Sequence, residues 1–366
     1  MAHAKEKAKP DVPTMVRERA LRSEAQKMQP GGEKKPDVFI VGAPKCGTTA
    51  MDHYLAAHPD IYMAKKEMHA FGSDLCFGPQ FYRRDQEAYL TEFAARNGER
   101  RAGDASVWYL FSTQAAAEIH AFNPEARIII MLREPADMLY SLYYQFRFDG
   151  NEHLPTFEEA LAAEDDRRAG RRVSRQTYLV QGLFYRETAR YTEQVRRYFD
   201  VFGRERVHVI IYDDLAADAR AVYARALEFL SVDPSRIETD FQVINGNKSV
   251  KHSALRGLLN DPLIRSTAVS IGRRLPRPIF AALHDLERAL WKINSRPEKR
   301  PPLAPEVREQ LKREFAPEVA RLSELLGRDL THWSRSQPVS SRASTLAPHA
   351  TAIKSAPAVT CSARAA

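Results

Sequence analysis

A glycine-containing turn near the start of the chain carries residue types that bind phosphate. It follows an apolar run at 37–42, precedes a helix predicted over 49–58, and consists of Gly42, Ala43, Pro44, Lys45, Cys46, Gly47, Thr48 and Thr49. Backbone N–H groups in a tight turn and at a helix N-terminus attract anions. The two glycines permit the turn, and the lysine and threonines add side-chain donors. The turn therefore predicts a phosphate site.

The spacing of this turn resembles the nucleotide-binding pattern GxxxxGK[ST], with one difference that changes the chemistry. Thr48 stands where that pattern has lysine, and Lys45 lies three residues earlier. An NTPase of this type also needs an acidic metal ligand after a later strand. The apolar run ending at Leu132 is followed instead by Arg133. We therefore predict no metal site, and an ATP-dependent kinase or NTPase with a degenerate loop is the alternative hypothesis.

A second anion site is predicted where the run at 127–132 ends. Arg133 leaves the carboxyl end of this strand, where ligands gather in open α/β sheets. Ser141 follows about two turns along a helix predicted over 135–146. A guanidinium and a hydroxyl that face the same crevice can bind a further anion.

Apolar runs alternate with helical patterns along the middle of the chain. Strands are predicted at 37–42, 61–63, 127–132 and 207–212. Helices are predicted at 49–58, 85–97, 112–121, 135–146, 177–202, 217–230 and 303–326. This alternation is typical of a parallel sheet covered on both faces. The expected fold class is α/β, a P-loop-like three-layer fold with a central parallel sheet flanked by helices.

The net charge of +8 and pI near 9.3 would suit a polyanionic partner, but the excess lies at the chain ends. Residues 1–35 hold nine Lys or Arg and five Asp or Glu, and 335–366 hold four basic residues and no acidic one. The remainder holds 42 of each sign. We predict a flexible basic arm at 1–35, one folded domain at 36–334, a disordered basic tail at 335–366, and no nucleic-acid groove.

Composition limits the cellular setting. No apolar run approaches the roughly 18–20 residues that span a bilayer, and the first residues lack the apolar core of a secretory signal. Three scattered cysteines do not form a disulfide framework or a zinc site, so a cytoplasmic protein is expected. The apolar and basic stretch 255–293 has three open interpretations: helices packed on the core, a lid over the substrate, or a peripheral membrane contact.

Three segments together resemble sulfotransferases that use 3′-phosphoadenosine 5′-phosphosulfate (PAPS). They are PKCGTT at 44–49, IIIMLREP at 128–135 with Ser141 after it, and IIYDDL at 210–215. The resemblance covers roughly 37–333 and is closest to bacterial enzymes and the heparan-type carbohydrate branch. It implies that the turn at 44–49 binds the 5′-phosphosulfate. It further implies that Arg133 and Ser141 hold the 3′-phosphate, which distinguishes PAPS from ATP.

The segment KKEMHAF at 65–71 resembles the KExHFF stretch of the heparan-type branch, in which the glutamate is the catalytic base. The resemblance implies Glu67 as the base, His69 as a supporting polar residue and Lys66 as a contact to the sulfate group. Ala70 stands where the pattern has an aromatic residue.

Two further pairs of residues are expected to contact the donor or the acceptor. The segment 241–251 resembles the late loop that closes over the 3′-phosphate and adenine, which implies Lys248 and Lys251 as donor contacts. Asp104 and Ser106 are expected to line the acceptor cleft.

The resulting hypothesis is an enzyme that moves a sulfuryl group from PAPS to an acceptor hydroxyl, of a saccharide or glycolipid, by in-line displacement. Glu67 takes the proton, Lys45 stabilises the leaving group, and adenosine 3′,5′-bisphosphate (PAP) is the product without need of a metal. The alternatives are the ATP-dependent enzyme described above and a non-catalytic nucleotide-binding scaffold whose tails dock on a partner.

Overall fold

A computed structural model describes most of the chain between Lys35 and Arg335. The described residues are 35–77, 86–236, 241, 248–252, 257, 261, 264, 267, 289–290, 293–297 and 300–335. The predicted arm and tail lie outside them, apart from Lys35 and Arg335. So does nearly all of 255–293, whose three interpretations stay open.

A five-stranded parallel sheet forms the centre of the described structure. In chain order its strands are β1 (Val38–Gly42), β2 (Ile61–Met63), β3 (Arg101–Ala105), β4 (Arg127–Leu132) and β5 (Val207–Ile211). Their spatial order is β2-β3-β1-β4-β5, and the register sets Val38 opposite Gly103 on one side and Arg127 on the other. Strands β2 and β3 lie on one side of β1, and β4 and β5 lie on the other. In open α/β sheets a ligand crevice forms where the strand order reverses, which here is at the carboxyl ends of β1 and β4.

Helices flank this sheet, which confirms the α/β fold class. In chain order the described helices are α1 (Thr48–Ala56), α2 (Gln86–Thr91), α3 (Ala115–Phe122), α4 (Pro135–Asp149), α5 (Phe157–Ala162), α6 (Glu164–Arg168), α7 (Tyr185–Thr188), α8 (Tyr191–Phe202), α9 (Tyr212–Ala217), α10 (Ala219–Phe229) and α11 (Pro305–Leu326). Every residue of β1 is buried, as expected for a central strand covered on both faces. Within the described residues, no helix has the length and apolar character needed to cross a membrane.

Strand β3, with the sequence RAGDA, was not predicted because it lacks the β-branched residues that marked the other strands. Distant contacts hold it instead. Asp37 accepts hydrogen bonds from the Arg101 guanidinium at 2.7 Å and the Ala102 N–H at 2.8 Å. At Gly103 an added Cβ would lie 2.3 Å from the Met63 sulfur, so a larger residue there would require the Met63 side chain to move.

The single helix predicted over 177–202 is wrong in its extent. The chain forms a 3₁₀ turn at Gln181–Leu183 and then the separate helices α7 and α8. The first residues of the segment are held outside any helix by the buried side chain of Asn151. Its oxygen accepts the backbone N–H groups of Tyr178 and Leu179 at 2.8 and 3.1 Å.

A small antiparallel pair, β6 (Lys248–Val250) and β7 (Ser295–Pro297), lies beside α4. Its register sets Lys248 opposite Pro297 and Val250 opposite Ser295. The pair brings a late part of the chain next to the helix that carries Ser141.

Candidate active site

The turn at 42–49 follows β1 directly, and its two glycines are required by close contacts. Gly42 has a φ of 146°, and a Cβ there would lie 2.5 Å from the Val107 carbonyl oxygen. Gly47 has a φ of 90° and caps the N-terminus of α1, where a Cβ would lie 2.9 Å from Leu215. The turn thus packs closely against its neighbours. It places the first residues of α1, Thr48 and Thr49, just beyond the carboxyl end of β1.

Lys45 lies at the bend of this turn with a φ of 62°. Its amino group donates a hydrogen bond to Gln145 Oε1 on α4 at 3.0 Å. Burial, with a further contribution from nearby cations, lowers the pKa of Lys45 from 10.5 to about 8. The cations belong to Arg300, Lys66 and Arg133. Four positive side chains therefore converge on one place, which is an environment suited to a multiply charged anion.

Cys46 points the other way, into the core. Its side chain is fully buried and its thiol donates to the Pro44 carbonyl oxygen at 3.4 Å. Burial raises the pKa of the Cys46 thiol to about 12. The residue can therefore serve a bound phosphate through its backbone N–H, while its sulfur remains a protonated part of the core.

Arg133 directly follows β4, and Ser141 lies about two turns along α4. Helix α4 begins at once because Glu134 caps it, accepting the Asp137 N–H at 3.2 Å, and Pro135 occupies its first turn. The Arg133 guanidinium lies 4.6 Å from the centre of the Tyr212 ring and 3.4 Å from Asp137 Oδ2.

Arg300 joins this group from the late part of the chain and was not predicted. Its Nη1 donates to the Ser141 hydroxyl at 2.9 Å, and its guanidinium lies 5.4 Å from the Tyr144 ring centre. Burial and the charge of Arg133 lower the pKa of Arg300. Its Nε is buried and has no hydrogen-bond partner among the described residues. Two partly buried guanidiniums beside one hydroxyl form a site that a phosphate would complete.

Glu67 lies between the turn and the loop that follows β3. Its Oε1 accepts from the Lys66 amino group at 2.9 Å, and its Oε2 accepts from the Val107 N–H at 3.2 Å. His69 Nε2 lies 3.2 Å from the same Oε2. The Lys66 amino group also lies 3.4 Å from the Thr48 hydroxyl, so it connects the carboxylate to the phosphate turn.

Backbone strain is concentrated around these groups. Five non-glycine residues among the described ones have positive φ, and three of them belong to the site: Lys45, Glu67 and His69. Such conformations cost roughly 1–3 kcal/mol each and persist where surrounding contacts enforce them. The Ala105 carbonyl does so at Glu67, whose backbone N–H it accepts at 2.9 Å.

Asp104 and Ser106 lie behind Glu67 and His69, at a supporting position. Both are fully buried, and the Ser106 hydroxyl donates to Asp104 Oδ1 at 2.8 Å. Tyr109 and Tyr89 donate to the other carboxylate oxygen at 2.9 and 3.1 Å. Burial raises the pKa of Asp104 to about 6. Because Ser106 Oγ also accepts the His69 N–H at 3.2 Å, this network fixes the Glu67 segment, and neither side chain lines a cleft in the structure.

Lys248 begins β6, and its side chain is outside the part of the chain that the structure describes. Lys251 follows β6, and its described contacts do not reach the phosphate turn. The Lys251 amino group is exposed and donates to the Ile293 carbonyl at 2.7 Å, beside the β6–β7 pair. The rest of the predicted late loop, 242–247, lies outside the described residues.

The comparison that decides the family is a match of residues 35–267 to a family model described as "Sulfotransferase domain". The chain belongs to the sulfotransferase family. A crystal structure of a sulfotransferase from Alicyclobacillus acidocaldarius is 33% identical, with a TM-score of 0.60. That match covers 82% of this chain and 99% of the bacterial one. Membership makes the chain an enzyme of the sulfotransferase type, so the family resemblance is confirmed.

Two curated sulfotransferases show lower identity. Bifunctional heparan sulfate N-deacetylase/N-sulfotransferase 1 of Caenorhabditis briggsae is 24% identical over 214 residues, covering 56% of this chain and 23% of that protein. Carbohydrate sulfotransferase 15 of Rattus norvegicus is 25% identical over 252 residues, covering 54% of this chain and 44% of that protein. The chain therefore spans less than half the length of these relatives.

The sequence analysis did not identify four polar residues that hydrogen bonds connect to Lys45 or Ser141: Gln145, Asp149, Tyr178 and Arg300. Gln145 and Asp149 follow Ser141 at intervals of four on α4, so helical spacing alone could have placed them on the face of Ser141. Tyr178 and Arg300 carry no such local signal, because long-range contacts bring them to the site. In the described residues no group of three His, Cys, Asp or Glu side chains could hold a metal ion.

Proposed function

We propose that this sulfotransferase moves a sulfuryl group from PAPS to a hydroxyl of a saccharide or glycolipid, with Glu67 as the base. The observation that carries the proposal is the position of Lys66. Its amino group lies 2.9 Å from Glu67 and 3.4 Å from Thr48, so a proton acceptor stands next to the phosphate turn. A transferred group held at the turn would meet an acceptor hydroxyl held at the carboxylate.

The charges of the site fit a donor with anionic groups at both ends. Lys45 and the turn suit the phosphosulfate end. Arg133, Arg300 and Ser141 suit a 3′-phosphate, and the buried Nε of Arg300 offers a donor that no described residue accepts. ATP has no 3′-phosphate, so this second anion site favours PAPS over the alternative of an ATP-dependent enzyme.

The reaction is an in-line displacement at sulfur. Glu67 takes the proton of the acceptor hydroxyl as the acceptor oxygen forms its bond to sulfur. The bond between sulfur and the bridging phosphate oxygen breaks, and the electron pair leaves with PAP. The side chain of Glu67 is 32% exposed, so an acceptor can reach it, while Lys66, His69 and the Val107 N–H fix its orientation.

Lys45 acts on the leaving group. Negative charge develops on the bridging oxygen as the bond to sulfur breaks, and a cation placed at the turn stabilises that charge. Gln145 holds the Lys45 amino group at 3.0 Å, which fixes its direction before the donor arrives.

The acceptor class is inferred from two observations. Glu67 lies in a segment of the heparan-type pattern, and the two curated relatives are named for heparan sulfate and carbohydrate. A saccharide or glycolipid hydroxyl is the acceptor that agrees with both. Incubation with ³⁵S-labelled PAPS and a panel of such acceptors identifies it, and transfer only to phenols or steroids would overturn this part of the proposal.

Ligand binding separates PAPS use from the two alternatives. Calorimetry of the full chain should give a Kd for PAP that lies well below the Kd for ADP with Mg²⁺. Tighter binding of ADP with Mg²⁺ would favour the degenerate NTPase. Tight PAP binding with no sulfuryl transfer to any acceptor would favour the non-catalytic scaffold.

The cytoplasmic location stays a prediction of composition and is part of this proposal. Fractionation of the source cells, with PAP-binding activity followed through the soluble and membrane fractions, tests it. Activity confined to the membrane fraction would favour the peripheral contact considered for 255–293.

A further inference from the structure

The Lys45 amino group lies in an electrostatically unfavourable place for a charged lysine. Burial, together with the cations Arg300, Lys66 and Arg133, favours its neutral form. One acidic side chain, Asp149, acts in the opposite direction and favours the charged form. A lysine that stabilises developing negative charge should be protonated before the reaction begins. The negative charge that offsets the three cations is therefore needed to keep Lys45 protonated.

A continuous hydrogen-bonded chain connects Lys45 to this carboxylate. The Lys45 amino group donates to Gln145 Oε1 at 3.0 Å, and the Gln145 side chain hydrogen-bonds to Asp149 one helical turn later on α4. Tyr178 donates its hydroxyl to Asp149 Oδ2 at 3.3 Å, and the Asn151 N–H donates to Oδ1 at 3.1 Å. Each side chain in this series therefore orients the next one through a hydrogen bond.

The end of this chain is built into the core. Asn151 is fully buried and accepts the Tyr178 and Leu179 N–H groups, while its own amide donates to the Leu179 carbonyl at 3.3 Å. Thr177 donates its hydroxyl to the Asn151 carbonyl at 3.0 Å. These bonds fix Tyr178 against the end of α4, so its contact with Asp149 is held by the fold.

We propose that Asp149 is a positioning residue that keeps Lys45 protonated, acting through Gln145 and held in place by Tyr178. The inference rests on the proposed role of Lys45 toward the donor. Burial raises the pKa of Asp149 to about 6, so at neutral pH it is ionised and supplies the counter-charge. Because the pKa of Lys45 is about 8, most of its amine is charged at pH 7.

Loss of the carboxylate should shift Lys45 toward the neutral amine. An opposite charge within about 4–6 Å typically changes a pKa by 1–3 units, and the Gln145 side chain separates Asp149 from Lys45, so the effect expected here is at the lower end of that range. In Asp149→Asn the amide keeps the shape of the side chain and removes the charge. We expect the midpoint of Lys45 ionisation to fall by roughly one pH unit, which would leave a large neutral fraction at pH 7.

The test measures the amine directly in the donor-free protein. The rate at which acetic anhydride acylates Lys45 is followed between pH 5 and 10 by mass spectrometry of the Lys45 peptide. Wild type should give a midpoint near pH 8, and Asp149→Asn a lower one. Asp149→Glu should restore the wild-type midpoint, and Asp165→Asn, which removes a charge from an exposed side chain on α6, should leave it unchanged.

Equal midpoints in wild type and Asp149→Asn would overturn the proposal. If Asp149→Asn does not fold, Asp149→Ser removes the same charge and replaces it in the titration. Because no donor is present, this outcome does not depend on whether the chain transfers sulfuryl groups. A second readout is the pH dependence of kcat/KM for PAPS, which reports ionisations of the free enzyme. Its alkaline limb should move to lower pH by the same amount in Asp149→Asn.

Discussion

Arg300 donates from Nη1 to the Ser141 hydroxyl at 2.9 Å and so joins residues 159 positions apart. The contact places a late cation beside Arg133, and the charges of both arginines act on Lys45. It adds a second guanidinium to the pair, Arg133 and Ser141, from which the sequence predicts an anion site. The site residues thus fall into a phosphate turn, a second anion group and a carboxylate.

Arg300→Ala should weaken PAP binding much more than AMP binding, because AMP lacks the 3′-phosphate. Hydrogen bonds to charged groups contribute about 1.5–3 kcal/mol, which corresponds to a Kd increase of roughly 10–150-fold. Arg133→Ala should behave in the same way, and Ser141→Ala should lose less. Calorimetry with both nucleotides gives the ratio, and an equal loss for PAP and AMP would assign Arg300 elsewhere.

Lys45→Ala should lower kcat by about 10²–10³-fold, the usual effect of removing one group that stabilises developing negative charge. Steady-state transfer of ³⁵S from PAPS measures it. A variant whose only change is a higher KM, with kcat preserved, would show that Lys45 binds the donor without acting on the leaving group.

The Cys46 thiol should not react in the native protein. It is buried and its pKa is raised to about 12, so the thiolate is scarce at pH 8. Iodoacetamide should label the half-buried Cys76 before Cys46, as read by peptide mass spectrometry. Cys46→Ala should keep activity within about threefold, since only the backbone is expected to meet the donor. Rapid labelling of Cys46 with loss of activity would contradict this position.

A buried ion pair away from the site should control stability. Arg167 and Glu152 are fully buried and 2.7 Å apart, and Tyr185 donates to the same carboxylate at 3.0 Å. Glu152→Gln leaves a guanidinium without its counter-charge, which typically costs about 3–5 kcal/mol. Denaturant unfolding measures this cost. Asp165→Asn, at an exposed ion pair on α6, is the control and should change stability little.

Four strands of the central sheet and the phosphate turn were predictable because their signals are local. Runs such as Arg127–Leu132 are apolar and β-branched, and the turn at 42–49 has its own glycine spacing. Strand β3 was not predictable in this way. Its sequence RAGDA is a strand because Asp37 and the neighbouring strands hold it, which no short window shows.

The candidate site likewise contains residues that local sequence signals predict and residues that only long-range contacts bring in. The turn, Arg133, Ser141 and Glu67 follow from motifs, and the structure brings them to one crevice. Arg300 and Tyr178 come from distant segments, held by Ser141 and by Asn151, so only the folded chain reveals them. Asp104 and Ser106 were assigned to the acceptor cleft, yet burial places them behind Glu67.

Glu67→Gln tests the central claim most directly, through transfer of ³⁵S from PAPS to a saccharide acceptor with PAP affinity measured in parallel. Wild type should transfer the label. The variant should bind PAP as wild type does and transfer about 10²–10⁴-fold more slowly, as expected when a general base is lost. Transfer by the variant at a near wild-type rate would remove Glu67 from the reaction, and no transfer by wild type would contradict the proposed function.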